Sequence, residues 1–172
     1  MKAIDKPQIG MYKPFSGAYI NLVEDSIDVY TLQTEWKKMK AFLLSLPQEK
    51  WEYRYAEDKW TIKEMLVHMI DTERIFSYRA LRMARADSTP LPGFEQNDYV
   101  PYSNANNKSV DDLLQEFEAV RMSTYLLFAS FDDAAWDRHT LVDNHPVSVR
   151  AELYLVLGHP LHHLKVIREK YL

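Results

Sequence analysis

Two histidines near the carboxyl end of the chain, His159 and His163, have the spacing of a metal-binding pair. They are four residues apart, so on a helix they lie one turn apart on the same face. Apolar residues continue that face: Val149, Val156 and Ile167. We therefore expect both imidazoles to point into the protein, where each needs a polar partner. A metal ion that binds one nitrogen of each ring is an economical partner.

A third histidine suited to the same ion, His68, lies in a different helix-patterned segment. This segment opens with Thr61 followed three residues later by Glu64, the spacing of a capping box at a helix start. Its apolar residues form one wide stripe: Ile62, Met65, Leu66, Met69, Ile70 and Phe76. His68 lies on the side of that stripe and is expected to face inward. Taken alone, such a histidine is more often a hydrogen-bonded core residue than a ligand.

The elements that must position these histidines are helices. Four segments have a helical pattern of apolar residues: 22–46, 61–85, 109–130 and 148–172. Each would be on the order of 35 Å long, and helices of matched length pack best side by side. The sequence therefore predicts an all-α fold, a four-helix bundle with long loops at one end. We expect residues 1–172 to form one such domain, with residues 1–20 as an amino-terminal extension.

Two connections between these helices are too long for simple bundle turns. Residues 86–108 contain three prolines and several aromatic side chains, and a loop of this length in a compact domain is usually functional or disordered. We predict that it forms an ordered lid over the open side of the metal. Residues 132–147 are expected to shape the other side of a cavity at the bundle end. Two histidines in that segment, His139 and His145, are interpreted as surface residues.

The composition excludes several classes of protein. The chain has no cysteine, which rules out disulfides, thiolate ligands and a cysteine nucleophile. A net charge of −4 gives no electrostatic footprint for nucleic acid. No apolar run approaches the roughly 18 residues of a membrane helix, and the first residues lack the apolar core of an export signal. We therefore expect a cytoplasmic protein that contacts neither membrane nor nucleic acid.

Three segments together resemble the DinB-like superfamily of metal-binding four-helix bundles, in particular its YfiT-like branch, which is related to bacillithiol transferases. These segments are 61–85, 90–100 and 148–172, and the similarity spans roughly residues 36–172. The resemblance implies one divalent ion, zinc or nickel, bound by three histidines: His68, His159 and His163. The sequence lacks the Glu-x-x-His motif of di-iron bundles, the His-Glu-x-x-His zincin motif and the Gly-x-Ser-x-Gly elbow. Of these kinds of site, one that binds a single metal ion is the remaining option.

Three neutral imidazoles would leave a tetrahedral ion with one open position, as in catalytic zinc sites. Such an ion can lower the pKa of a bound water, or it can bind and activate a thiolate. Three hypotheses therefore stay open. The protein is a metal-dependent hydrolase, a transferase that adds a low-molecular-weight thiol to a small electrophile, or a non-enzymatic, metal-stabilised binding or stress-response module. The resemblance slightly favours the transferase, and a homodimer is a further expectation.

Four residues near the histidines have two interpretations each. Glu64 could orient His68 as a hydrogen-bond acceptor, although its role in the capping box is the simpler account. Arg150 suits either an anionic substrate or a salt bridge on the helix surface. His162 points roughly 100° away from its neighbour His163 around the helix, which suits a position behind the ligands or at the surface. Arg79 is interpreted as a packing or solvated residue.

Pro160 lies inside the turn that separates the two paired histidines. Proline removes a backbone donor and clashes with the carbonyl four residues earlier, here that of Val156. We therefore expect the helix to kink or widen at the site, and this strain would serve the site if it aims His159 at the ion.

Overall fold

Helices form most of the computed structural model, which describes residues 2–172. Besides short 3₁₀ turns, the elements in chain order are β1 (Ile4–Asp5), α1 (Gly17–Ile20), β2 (Ser26–Ile27), α2 (Thr31–Leu44), α3 (Ile62–Ala84), α4 (Gln96–Tyr99), α5 (Val110–Ala129), β3 (His139–Val142), β4 (His145–Ser148) and α6 (Val149–Lys170).

The four long helices, α2, α3, α5 and α6, pack as a bundle. Helix α3 contacts both α5 and α6, and α2 contacts α5. Two clusters of buried apolar side chains fill the interior, and both include residues of α3. The predicted all-α four-helix bundle is confirmed, with two small antiparallel sheets added to it. Within residues 2–172, none of the helices is long and apolar enough to cross a membrane.

Side-chain caps fix the starts of three bundle helices where the sequence predicts them. Thr61 Oγ1 accepts a hydrogen bond from the backbone N–H of Glu64, and the Glu64 carboxylate accepts one from the N–H of Thr61. This is the predicted capping box. Ser109 and Ser148 likewise accept from the backbone N–H three residues later, each at 3.1 Å. Caps of this kind contribute about 1 kcal/mol each, so these helix starts are locally encoded.

The predicted start of the first bundle helix is wrong. Helix α2 begins at Thr31 rather than at residue 22. The preceding residues instead form β2, which pairs antiparallel with β1 through Ile4 opposite Ile27. Asp28 Oδ1 then accepts a hydrogen bond from the N–H of Thr31 at 3.1 Å. Because Ile4 and Ile27 are both buried, pairing with the amino-terminal strand places these apolar side chains better than an extended helix would.

A β-hairpin formed by residues 139–148 closes one side of the bundle end. Strands β3 and β4 pair antiparallel, and they are joined through Asp143 and Asn144, which have φ angles of 51° and 62°. Asp and Asn tolerate this left-handed region, so the turn forms without glycine. The loop of residues 86–108, the predicted lid, is attached to the hairpin through Leu91. The N–H of Leu91 donates to the carbonyl of Leu141 at 2.8 Å, and its carbonyl accepts from the N–H of Asp143 at 3.0 Å.

The amino-terminal residues pack directly onto α6. The hydroxyl of Tyr154 donates a hydrogen bond to the carbonyl of Ile4 at 2.8 Å, and Ile20 is fully buried in the same apolar cluster. The backbone of Tyr19 approaches α6 at Gly158, where a methyl group would lie 2.2 Å from the Tyr19 carbonyl oxygen. This segment therefore contributes to the core and passes beside the histidine pair.

Helix α6 runs without interruption through Pro160. Proline leaves the carbonyl of Val156 without its usual helical donor, and Nη2 of Arg121 lies 3.5 Å from that oxygen. Arg121 also forms a salt bridge of 2.7 Å with Glu73, and both side chains are almost completely buried. The pair connects α5 to α3 immediately beside the proline of α6.

Candidate metal centre

The structure brings together the three histidines singled out in the sequence. Nε2 of His159 lies 3.0 Å from Nε2 of His68 and 2.9 Å from Nε2 of His163. One ligand atom from each of the three rings lies within 4.8 Å of the others. His68 and His159 are buried, and His163 is half-buried. Helix α3 supplies one imidazole and consecutive turns of α6 supply the other two.

Burial keeps these imidazoles neutral. It lowers the pKa of His68 to about 4. It also holds the pKa values of His159 and His163 well below the ordinary value, with a smaller contribution from the neighbouring imidazoles. A metal ion binds the neutral form of histidine, so the site is in the required protonation state at neutral pH.

Hydrogen bonds alone do not account for the convergence of three nitrogens. A neutral imidazole nitrogen carries either one proton or one lone pair, so Nε2 of His159 cannot satisfy both neighbours. An ion would take one lone pair from each ring. In a tetrahedral zinc site with Zn–N bonds of about 2.0–2.1 Å, the nitrogens lie about 3.3 Å apart, so the separations of His159 from His68 and from His163 would lengthen only slightly. The three histidines therefore fit a divalent metal ion.

Aromatic and polar neighbours fix the orientation of the rings. Thr72 lies one turn after His68, and its Oγ1 is 3.4 Å from Nδ1 of that ring. The ring centroid of Trp60 is 4.8 Å from that of His68, and Tyr19 packs edge-on against His159 at 5.5 Å. Thr72 could have been found from its four-residue spacing. The approach of Tyr19 could not, because it depends on the close packing of the amino-terminal segment.

A cavity of about 350 Å³ opens beside the centre and includes His159 in its wall. The lid loop contributes Phe94 and Gln96 to this wall, and the hairpin contributes Val142 and Val147. Both long connections therefore line the cavity that has His159 in its wall. The function of residues 86–108 as a lid stays a prediction.

Two buried charged side chains in the cavity wall were not identified as site residues from the sequence. Glu152 is 1% exposed, and burial raises its pKa to about 8. Arg79 is also buried, which agrees with the packing interpretation of the sequence rather than the solvated one. Its Nη2 donates to the carbonyl of Pro92 at 3.0 Å, and its guanidinium lies over the ring of Phe94. Spacing gave one signal, because Glu152 lies seven residues before His159 on the same helix face.

The remaining sequence candidates lie outside this cavity. Glu64 bonds to Thr61, to Arg54 Nη2 at 2.8 Å and to Asn106 Nδ2 at 2.9 Å, which supports the capping interpretation. Arg150 forms a salt bridge of 2.9 Å with Asp137 at the protein surface. The other three candidates are histidines. His162 is half-buried against Tyr19, and His139 and His145 are exposed.

The fold and the buried group of three histidines define a four-helix bundle with an internal site that can hold a metal ion. A family model of the DinB superfamily matches residues 31–167, and the chain belongs to this superfamily. No curated protein matches the sequence. Among solved structures, the chain is similar to YfiT from Bacillus subtilis, described as a probable metal-dependent hydrolase with an unusual four-helix bundle topology. The two share 16% identity over 95% of this chain and 90% of that one, with a TM-score of 0.72, a likeness of fold.

Proposed function

We propose that the protein is a metal-dependent enzyme in which His68, His159 and His163 hold one divalent ion, zinc or nickel, at the wall of a substrate cavity. The observation that supports this most strongly is the convergence of three neutral imidazole nitrogens beside a cavity of about 350 Å³. A structural ion is usually enclosed by four protein ligands, whereas three leave a position for a reactant. The bound ion supplies a Lewis acid that lowers the pKa of a water or a thiol.

Transfer of a low-molecular-weight thiol is the reaction that these surroundings favour. Metal hydrolases commonly use a carboxylate close to the ion as a general base. In the described part of the chain, the converging group of ligand atoms consists of three imidazoles and includes no carboxylate oxygen. Since the chain has no cysteine, the sulfur must come from a small cosubstrate. A thiolate needs no further base once its proton is lost.

The bond changes of this transfer are simple. The sulfur of the thiol forms a bond to an electrophilic carbon, and the leaving group departs with its bonding electron pair. The thiol proton goes to solvent or to the leaving group. The chain's own residues bind and orient the reactants, because Phe94 and Leu155 line the cavity and offer apolar contacts beside its polar side chains.

Hydrolysis is the second candidate, and it rests on the description of the similar YfiT structure as a probable metal-dependent hydrolase. The two candidates differ in their need for a thiol. Protein purified without an affinity tag and loaded with zinc or nickel should consume a haloalkane or epoxide electrophile only when a small thiol such as cysteine is present. Ester or amide hydrolysis without any thiol would support the hydrolase instead.

Variants separate the metal centre from the rest of the surface in this assay. His163→Ala should abolish turnover, whereas His145→Ala, which changes an exposed histidine of the hairpin, should leave it unchanged. If metal is bound stoichiometrically but neither reaction occurs across a panel of electrophiles and esters, a non-enzymatic binding module is the better account.

A further inference from the structure

The end of the cavity away from the histidines contains two buried charged side chains, Arg79 and Glu152. Within the described residues, Oε2 of Glu152 is buried without a hydrogen-bond partner. The guanidinium of Arg79 has five N–H donors, and its one hydrogen bond in the described structure runs from Nη2 to the carbonyl of Pro92. Buried polar groups are normally satisfied, so the unpartnered oxygen of Glu152, beside an arginine with free donors in the same cavity wall, is a candidate contact for a ligand.

The position of these side chains relative to the metal centre follows from helix geometry. Glu152 lies seven residues before His159 on α6, which corresponds to about 10 Å along the helix axis. Arg79 lies seven residues after Thr72 on the facing α3, and Thr72 contacts His68. Glu152 is therefore two helical turns from His159, and Arg79 is about three turns from His68. At this distance neither can exchange a proton directly with a group bound at the metal, so a binding role suits them better than acid–base catalysis.

The charges at this end of the cavity favour an anion. Lys13, also in the wall, is neutralised by a salt bridge of 2.9 Å to Asp143. Arg79 forms no such salt bridge among the described residues, and the other carboxylate of the wall, Glu95, is exposed and bonded to Asn97. Burial holds the Glu152 carboxyl group protonated at neutral pH, so it does not neutralise the guanidinium but can donate a hydrogen bond. A permanent positive charge beside a neutral donor matches a carboxylate, which accepts two parallel bonds from a guanidinium.

We propose that Arg79 and Glu152 form a subsite for a carboxylate group of the substrate or thiol, about two to three helical turns from the reacting end of the molecule. The lid holds the arginine in place, because Pro92 accepts its hydrogen bond and Phe94 packs against its face. This proposal rests on the proposed function in one respect, which is that the other end of the bound molecule reacts at the metal. The subsite itself does not require the metal.

Paired probes test the subsite on the full chain. The first pair is mercaptooctanoate and mercaptooctanol, whose terminal thiols can reach the metal while the other end carries a carboxylate or a neutral hydroxyl. Binding to the zinc-loaded protein is measured by calorimetry. We expect the carboxylate probe to bind at least about tenfold more tightly, as for a charge-assisted hydrogen bond. Equal affinities would overturn the proposal.

Variants then assign the preference to particular side chains. Arg79→Gln should abolish the preference for the carboxylate probe, and Arg79→Lys should reduce it because lysine cannot form a bidentate pair. Glu152→Gln should retain most of it, since the amide still donates. The matched control is Arg85→Gln, which changes an exposed arginine at the end of the same helix and should keep the full preference. An unchanged preference in both Arg79 variants would contradict the assignment.

A second pair of probes distinguishes failure of the subsite from failure of the metal centre. Octanoate and octanol lack the thiol, so a preference for octanoate in zinc-free protein depends on Arg79 and Glu152 alone. A preference for octanoate without zinc binding would support the subsite and reject the metal centre. Zinc binding with no preference between octanoate and octanol, or between the two thiols, would reject the subsite and leave the metal centre intact.

Discussion

Gly158 of α6 lies so close to Tyr19 that a methyl group at this position would be 2.2 Å from the Tyr19 carbonyl oxygen and 2.6 Å from its carbonyl carbon. The obstacle is backbone, which cannot move aside as a flexible side chain does. Tyr19 also packs against the ring of His159, the next residue along α6. The amino-terminal segment therefore supports the histidine pair directly.

Gly158→Ala should displace the amino-terminal segment and lower the free energy of unfolding by about 1–3 kcal/mol, the typical cost of overpacking. It should also weaken metal binding, because His159 loses the packing of Tyr19. Gly17→Ala is the matched control, since a methyl group there would lie 3.5 Å from the Tyr12 ring, an ordinary contact. Urea unfolding and zinc titration of both variants measure the effects. Equal behaviour of the two variants would show that the contact does not support the site.

Glu152 should give the metal-free protein a pH-dependent stability. Its pKa is raised by burial to about 8 in the folded state, so the unfolded chain releases this proton at lower pH. The free energy of unfolding therefore falls as the pH rises from about 4 towards 8, by an amount on the order of a few kcal/mol. Glu152→Gln should remove this decline in the free energy of unfolding.

The control for this prediction is Glu49→Gln, which changes an exposed carboxylate and should keep the decline. Urea unfolding between about pH 5 and pH 9 covers the relevant range. An identical pH dependence in wild type and Glu152→Gln would mean that the carboxyl group is hydrated or paired in solution.

Pro160 should affect apo stability and metal affinity in opposite directions. Pro160→Ala restores the backbone donor for the carbonyl of Val156 and should stabilise the metal-free protein. The gain should be smaller than the roughly 3 kcal/mol of an isolated helix, because Arg121 already lies within reach of that carbonyl. If the proline aims His159, zinc affinity should fall. Raised apo stability with unchanged affinity would show that the bundle alone positions His159.

Local sequence signals account for the parts of the fold that were predicted well. Thr61, Ser109 and Ser148 are caps whose partners lie three residues away, so the starts of α3, α5 and α6 could be read from the sequence. The three histidines lie on the apolar faces of two long helices, which is why their burial could be predicted too. In both cases the determining contacts are local or follow from helix periodicity.

Contacts between distant segments account for what was missed. The start of α2 depends on pairing with a strand that begins at Ile4, and a helical pattern cannot reveal this competition. The hairpin turn uses Asp143 and Asn144 in the left-handed region, and no glycine marks this turn in the sequence. The sequence left Arg79 as a packing or a solvated residue, and its burial depends on contacts with Pro92 and Phe94 of the loop after α3. Such placements are tertiary and have no local signature.

The most direct test of the account is the metal content of the chain itself. The metal content of protein purified without an affinity tag or chelator is measured by inductively coupled plasma mass spectrometry. The same measurement is made on the variants His68→Ala and His145→Ala and on the double variant His68→Ala, His159→Ala. We expect one zinc or nickel ion per chain in the wild type and in His145→Ala, a large loss in His68→Ala, and none in the double variant, all with helical content retained. Near-stoichiometric metal in the double variant, or no uptake by the folded wild type, would contradict the proposed metal centre.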